Sequence, residues 1–359
     1  MANLVDALAT FAGKRVLITG DTGFKGSWLS LWLCQHGSTV HGYALPPDGP
    51  KSHFSSLSLE THIQHEDGDI RDKEHLLKYF EDVQPQVVFH LAAQAIVRRS
   101  YREPKETFDT NIGGSINVLE CVRLTPSVQS LVYITSDKCY RNREIAVGYT
   151  EEDELGGYDP YSASKAGAEL VFAAYNESFF KDRPNFGAAS ARAGNVIGGG
   201  DWSEDRIIPD CIRALQRNKP IVLRHPDATR PWQHVLEPLS GYITLGSRLL
   251  LDPASAIGSW NFGPRESAVH SVEDLARECI RVWGSGAVSI EPDNGQLHEA
   301  MLLKLNCDKA REFLQWSPRW DFKRTIRETI SWYRATCEGQ PAIDISSEQL
   351  QHYEGTSNG

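Results

Sequence analysis

The stretch Arg15-Val-Leu-Ile-Thr19, followed at once by Gly20-Asp-Thr-Gly-Phe-Lys-Gly26, decides the fold. An apolar run of strand length delivers its backbone into glycines at positions 20, 23 and 26, and Phe24 to His36 then carries a helical pattern. Glycines at a strand-to-helix junction let backbone N–H groups and a helix N-terminus face an anion directly. A simple capping turn would not need the buried strand in front of it. The reading is therefore a strand, loop and helix that seat a dinucleotide pyrophosphate, with Gly20, Gly23, Phe24, Lys25 and Gly26 as the loop. Asp21 would place a carboxylate near that pyrophosphate and weaken binding, with Lys25 as a compensating cation.

Outward from this loop the pattern alternates. Thr39 to Leu45 reads as a strand broken by Pro46 to Pro50; then come strand-like Ile63 to Glu66, helical Lys73 to Val83, apolar Val87 to Leu91, helical Lys105 to Leu124 and apolar Leu131 to Thr135. Asp159-Pro160 offers an N-cap and a proline at the first helical position, opening a helix to about Phe180, and Phe186 to Arg192 reads as a sixth strand. Alternation of this kind predicts an α/β fold, a Rossmann-type doubly wound parallel sheet with helices on both faces. Beyond Gly198 the texture shifts to glycine, proline, tryptophan and scattered arginine. The expected organisation is a dinucleotide-binding domain over 1–192 with return segments around 231–262, an interleaved smaller lobe over 193–340, and a polar tail over 341–359 with at most a short helix.

Composition narrows the function. The 359 residues carry a formal net charge of −10, so general nucleic-acid or anionic-membrane binding would work against the protein's own field, and neither is expected. The seven cysteines, at 34, 121, 139, 211, 279, 307 and 337, form no CxxC pair and no Cys/His spacing of a zinc site; no metal is expected. Met1 to Gly13 has neither a basic n-region nor a long apolar segment, and the scattered thiols suit a reducing cytoplasm.

Further candidates fall at strand ends. His41-Gly-Tyr43 offers no carboxylate for an adenosine ribose and no arginine for a 2′-phosphate, which leaves NAD and NADP undecided there. Asp69 and Ile70 are placed to contact adenine, Asp69 alternatively being a helix cap. Leu91, Ala92 and Ala93 are small enough for a cofactor to lie against the backbone, while His90 reads as a core histidine.

The chemistry is carried by Tyr161-Ser-Ala-Ser-Lys165 and Thr135-Ser-Asp-Lys138. Tyr161 and Lys165 share one helical face, and a phenol that titrates near 10 in water needs nearby positive charge to act as a base. These motifs, with the glycine loop, resemble the extended short-chain dehydrogenase/reductase family over nearly the whole chain, and within it the nucleotide-diphosphosugar 4,6-dehydratases. The resemblance implies NAD as cofactor, Ser136, Tyr161 and Lys165 for hydride chemistry, and Asp137 and Lys138 for water loss. Many relatives carry Asp-Glu where this chain has Asp137-Lys138, a departure similar to the subgroup acting on CDP-glucose. So are Arg192-Ala-Gly-Asn-Val-Ile-Gly-Gly-Gly-Asp-Trp202, Arg206-Ile-Ile-Pro209 and Arg230-Pro-Trp-Gln-His-Val235.

A nucleotide-sugar substrate would find Gln94, Asn195, Arg206, Arg224, Arg230 and His298 as candidate partners, the arginines matching its diphosphate. Lys138 is expected to act as the C5 base or as its electrostatic partner. The resemblance also implies a homodimer through the Lys105 to Leu124 and Asp159 to Phe180 helices, with a tetramer as the larger option, and a place in deoxysugar synthesis for surface polysaccharides. Two other readings share the motifs: a nucleotide-sugar 4-epimerase, which needs no pair for eliminating water, and a non-catalytic NAD-binding regulator, which would not need Tyr161 or Lys165.

Overall fold

The computed structural model describes residues 3–145, 147–265, 270–291 and 303–356. Its centre is a seven-stranded sheet of β1 (Arg15–Thr19), β2 (Thr39–Ala44), β3 (Gln64–Asp67), β4 (Val87–His90), β5 (Ser130–Ile134), β6 (Gly187–Arg192) and β7 (Gly258–Asn261). All neighbours pair in parallel, in the spatial order 3-2-1-4-5-6-7. The order of strand addition reverses between β1 and β4, and in open α/β sheets ligands bind at the carboxyl ends of the strands flanking that point.

The strands are buried on both faces because helices cover both. Val16, Ile18, Phe89 and Val132 face one layer, with Trp28, Leu29 and Trp32 of α1 (Phe24–Gln35) and Leu239 and Tyr242 of α2 (Leu236–Leu251). Leu17, Val88, Leu131 and Tyr133 face the other, against Leu76, Phe80, Val118, Leu119 and Phe172. Alternate residues of one strand thus feed two cores, as the two-residue period of a strand requires. The predicted strands all form, with ends shifted by a residue or so, and β7 pairs with β6 at the edge of the sheet.

Two findings depart from expectation. The helix read from Lys105 to Leu124 forms as Pro104–Phe108, a wider-wound turn over Asp109–Gly114, and Ser115–Leu124. The tail is not merely polar: Ala342–Glu354 is a helix whose Ile345, Leu350 and Tyr353 are buried. Its dock is the carboxylate of Glu237, which accepts from Tyr353 Oη at 2.6 Å, Trp320 N at 2.7 Å and Arg319 N at 3.0 Å. Burial raises the Glu237 pKa to about 7, against the pull of these donors. The long spacing of its apolar residues hid this helix from a periodicity reading.

The smaller lobe is built from Ile207–Gln216, the parallel pair Ile221–Leu223 and Val288–Ile290, and Val272–Trp283. It stands over the carboxyl end of the sheet and closes one side of a cleft of about 1470 Å3.

Candidate active site

The cleft begins where β1 ends. Gly20 sits at φ +80°, and a Cβ on it would lie 2.7 Å from Ala92 N on the neighbouring strand end; one on Gly26 would lie 2.0 Å from Gly20 O. Only glycine lets the loop and strand end approach this closely. The helix that follows, α1, has Gly23 at its N-cap and no side chain capping it, so the first N–H groups face the cleft. A concave backbone cradle with an uncapped helix N-terminus fits a dinucleotide pyrophosphate. Ile70, Leu91, Ala92 and Ala93 line the same cleft, as expected, and the alternative cap is settled: Asp72, not Asp69, caps the following helix. Asp69 takes a paired contact from Arg71 Nε and Nη2, at 2.9 and 2.6 Å to Oδ2, which holds its carboxyl below the usual range. His90 is buried between Thr19 Oγ1 and Ser115 Oγ, a core histidine whose pKa burial drives down to about 3.

Two loop side chains do not go where the sequence suggested. Asp21 turns inward, fully buried, and meets His65 Nδ1 at 2.7 Å rather than facing the pyrophosphate seat. Lys25 reaches the catalytic end of the cleft, its Nζ donating to Tyr242 Oη at 3.3 Å. Burial, Arg206 and Lys165 lower its pKa to about 7, with Asp137 opposing.

The candidate catalytic residues come from the end of β5 and from the helix α3 (Pro160–Tyr175). Asp159 caps α3 through Ser162 N at 2.9 Å and Pro160 holds its first turn, so the predicted start is the observed one. Tyr161, Lys165 and Glu169 then recur one turn apart on its buried face. Ser136, just past β5, donates to Asp137 Oδ1 at 2.9 Å and lies close enough to the Tyr161 phenol to lower its pKa. Burial pushes the Tyr161 pKa up to about 12, while the Ser136 bond and the Arg206 charge pull it back. Lys165 is lowered to about 8 by burial, with Glu169 pulling the other way. Asp137 is accommodated by Gly194, where a Cβ would lie 1.9 Å from Asp137 Oδ2. Lys138 lines the cleft beside it.

Substrate candidates divide. Asn195, Arg206, Arg224 and Arg230 line the cleft. Arg206 is aimed by Asp201, at 3.0 Å, and Asn195 holds φ +52°. Gln94 borders the cleft, but its amide is spent within the protein: Nε2 donates to Thr107 Oγ1 at 2.8 Å and Oε1 accepts from Ile96 N. His298 lies outside the described residues. Among the described residues no group of His, Cys, Asp or Glu could hold a metal ion, and no helix is long and apolar enough to cross a membrane.

Sequence reasoning missed three contributors. Glu169 bonds Thr135, the residue before Ser136, and pairs with Arg192 Nη2 at 2.7 Å; both partners are buried. Its spacing of four from Lys165 was the available signal. Tyr242, which receives Lys25, and His65, which receives Asp21, had none, because each pairing spans distant segments.

A glycine cradle at the sheet's switch point and a Ser-Tyr-Lys set on the adjoining strand and helix define an extended short-chain dehydrogenase/reductase. The chain belongs to the family described as GDP-mannose 4,6 dehydratase, whose sequence profile matches residues 17–329. It is 45% identical over 345 residues to a CDP-glucose 4,6-dehydratase of Salmonella typhimurium, covering 95% of this chain and 96% of that one. In fold it is similar to an epimerase from Methanothermobacter thermautotrophicus, with a TM-score of 0.80 at 24% identity, covering 93% of this chain and 96% of the other. A dTDP-glucose 4,6-dehydratase from Bacillus anthracis, solved in complex with NAD, matches with a TM-score of 0.76 at 21% identity, over 92% and 100% of the two chains.

Proposed function

We propose that this protein is an NAD-dependent CDP-glucose 4,6-dehydratase, converting CDP-glucose to CDP-4-keto-6-deoxyglucose. The observation that carries the reading is Asp137, hydrogen-bonded by Ser136 at 2.9 Å and lining the same cleft as Tyr161, in a chain with 45% identity to a CDP-glucose 4,6-dehydratase. An epimerase has no use for a proton donor at that point; elimination of water does.

The residues divide the work by position. The loop at Gly20, Gly23 and Gly26 and the open N-terminus of α1 hold the cofactor pyrophosphate, and Leu91 to Ala93 give it a flat bed. When bound, NAD supplies the store in which the C4 hydride is kept until it returns at C6. Tyr161 Oη takes the C4 hydroxyl proton while Ser136 steadies the oxygen; the charge of Arg206 favours the phenolate against that of Asp137, and Lys165 stands one turn along the same helix face. The ketone formed at C4 acidifies the C5 hydrogen. Lys138, as its neutral amine, removes that proton, and Asp137 gives one to the departing C6 hydroxyl; as hydride returns to C6, C5 takes a proton back from the Lys138 ammonium. Arg206 and Arg230 meet the diphosphate.

A homodimer would use the two helices predicted for it: Phe108, Leu124, Leu170 and Phe179 are exposed along them. The free thiols suit a reducing cytoplasm, and the product suits deoxysugar synthesis for a surface polysaccharide such as O-antigen.

The test is incubation of the protein with CDP-glucose and NAD, read by the alkali-generated absorbance of a 4-keto-6-deoxy sugar, with dTDP- and GDP-glucose in parallel. Turnover of CDP-glucose, lost by roughly 10²–10⁴ in Tyr161→Phe, supports the reading. Formation of CDP-galactose would make the protein an epimerase, and no product at all a regulator.

A further inference from the structure

A carboxylate inside a pyrophosphate-binding loop is an anomaly. Asp21 is such a residue, and three elements of the fold are shaped around it. Its own loop carries it beneath the cradle, fully buried. On β2, Gly42 leaves it room: a Cβ there would lie 2.0 Å from Asp21 Oδ2. From β3, His65 presents Nδ1 at 2.7 Å to Asp21 Oδ2 and Nε2 at 3.0 Å to Asp67 Oδ1.

A histidine between two carboxylates is oriented to donate from both ring nitrogens, which is the protonated form. Phe54 packs on the ring at 5.1 Å between centroids, limiting its movement. The other titratable group facing Asp21 is Tyr79, whose phenol burial and the Asp21 charge hold neutral; Glu66, also on β3, is engaged with His75 at 2.9 Å.

We propose that His65 is a charge-compensating, positioning residue for the dinucleotide loop: its imidazolium neutralises Asp21 beneath the pyrophosphate seat, so that affinity for the anionic cofactor depends on His65 keeping its proton. This rests on the reading that the loop binds NAD. Burial opposes the charge on His65, but the hydrogen bond and charge of Asp21, with Asp67 added, raise its pKa to about 8. Below that pH the Asp21–His65 pair is neutral. Burial raises the Asp21 pKa as well, with His65 opposing; above that pH the imidazole is neutral, and an ionised Asp21 leaves the loop with one more negative charge under an anionic ligand. Affinity therefore falls as pH rises through about 8. Lys25 and Lys165 also lose charge in this range, so the comparison that isolates His65 is between the parent and Asp21→Ala.

The experiment is calorimetric titration of the whole protein with NAD at pH 6.5 to 9.5, on the parent, Asp21→Ala, His65→Gln and the double variant. The expected result is an additional weakening of about tenfold across this range in the parent, equal to about 1.4 kcal/mol, that is absent in Asp21→Ala. His65→Gln binds about tenfold more weakly than the parent at pH 7, and removing Asp21 as well restores the loss. Parallel pH profiles for parent and Asp21→Ala overturn the inference, and so does a double variant as weak as His65→Gln. Should His65→Gln not fold, the parent and Asp21→Ala profiles still decide. A parent that binds no NAD at any pH overturns the cofactor reading itself, and this inference with it.

Discussion

Among the described residues, two acid–base pairs beneath the cleft are built differently. Under the catalytic helix, Glu169 is paired with Arg192, and Ser190 and Thr135 add hydrogen bonds to the same carboxylate. Under the cofactor loop, Asp21 is paired with His65. An arginine keeps its charge at any pH a cell meets, whereas a histidine loses its own near neutrality. The Glu169 pair therefore gives Lys165 and the strand end carrying Ser136 a constant electrostatic floor. The Asp21 pair gives the cofactor loop a floor that titrates. Fixed charge stands beside the proposed catalytic residues, and adjustable charge beneath the glycine loop proposed to hold the cofactor.

The sharpest way to break this comparison is Glu169→Ala, which strands the Arg192 guanidinium without its partner. Breaking one side of a buried pair costs about 3–5 kcal/mol, and urea unfolding of the variant should show a loss of that size. A loss below about 1 kcal/mol would mean that Tyr140, Ser259 and the Glu151 carbonyl hold Arg192 without Glu169. Next in size is Gly194→Ala. Its Cβ must displace the Asp137 carboxylate, and a misplacement of about 1 Å costs on the order of 10²-fold in turnover, with little change in KM if Asp137 serves chemistry rather than binding. Smallest is the effect of His65 on stability. Its folded pKa, about 8, stands above the ordinary value of 6.5, so its contribution is complete below about 6.5 and lost as pH rises through 8. Thermal unfolding should show this decline in the parent and a flatter profile in His65→Gln.

The same comparison explains what the sequence could disclose. The glycine loop, the Tyr161/Lys165 spacing and the cap at Asp159-Pro160 are local: each is a short stretch whose geometry follows from its own residues, and each stands where it was read. Glu169 was half legible, because its place on the face of Lys165 follows from helical spacing, while its partner Arg192 comes from β6. Asp21 was misjudged. Its neighbours in sequence put it at the pyrophosphate, but His65, 44 positions away, turns it inward. The C-terminal helix escaped for a similar reason, since its dock is Glu237, more than a hundred positions back. Gln94 looked free to meet substrate until Thr107 and Ile96 claimed its amide.

In the proposed reaction the C4 hydrogen of CDP-glucose leaves as hydride while Tyr161 takes the hydroxyl proton, and it returns to the same molecule at C6 after Asp137 has released water. Turnover of CDP-glucose deuterated at C4, followed by NMR of the product, tests this directly. The account predicts a 4-keto-6-deoxy sugar with the deuterium in its C6 methyl group and solvent hydrogen at C5. Deuterium found at C4 of a product that still carries its C6 hydroxyl would contradict it.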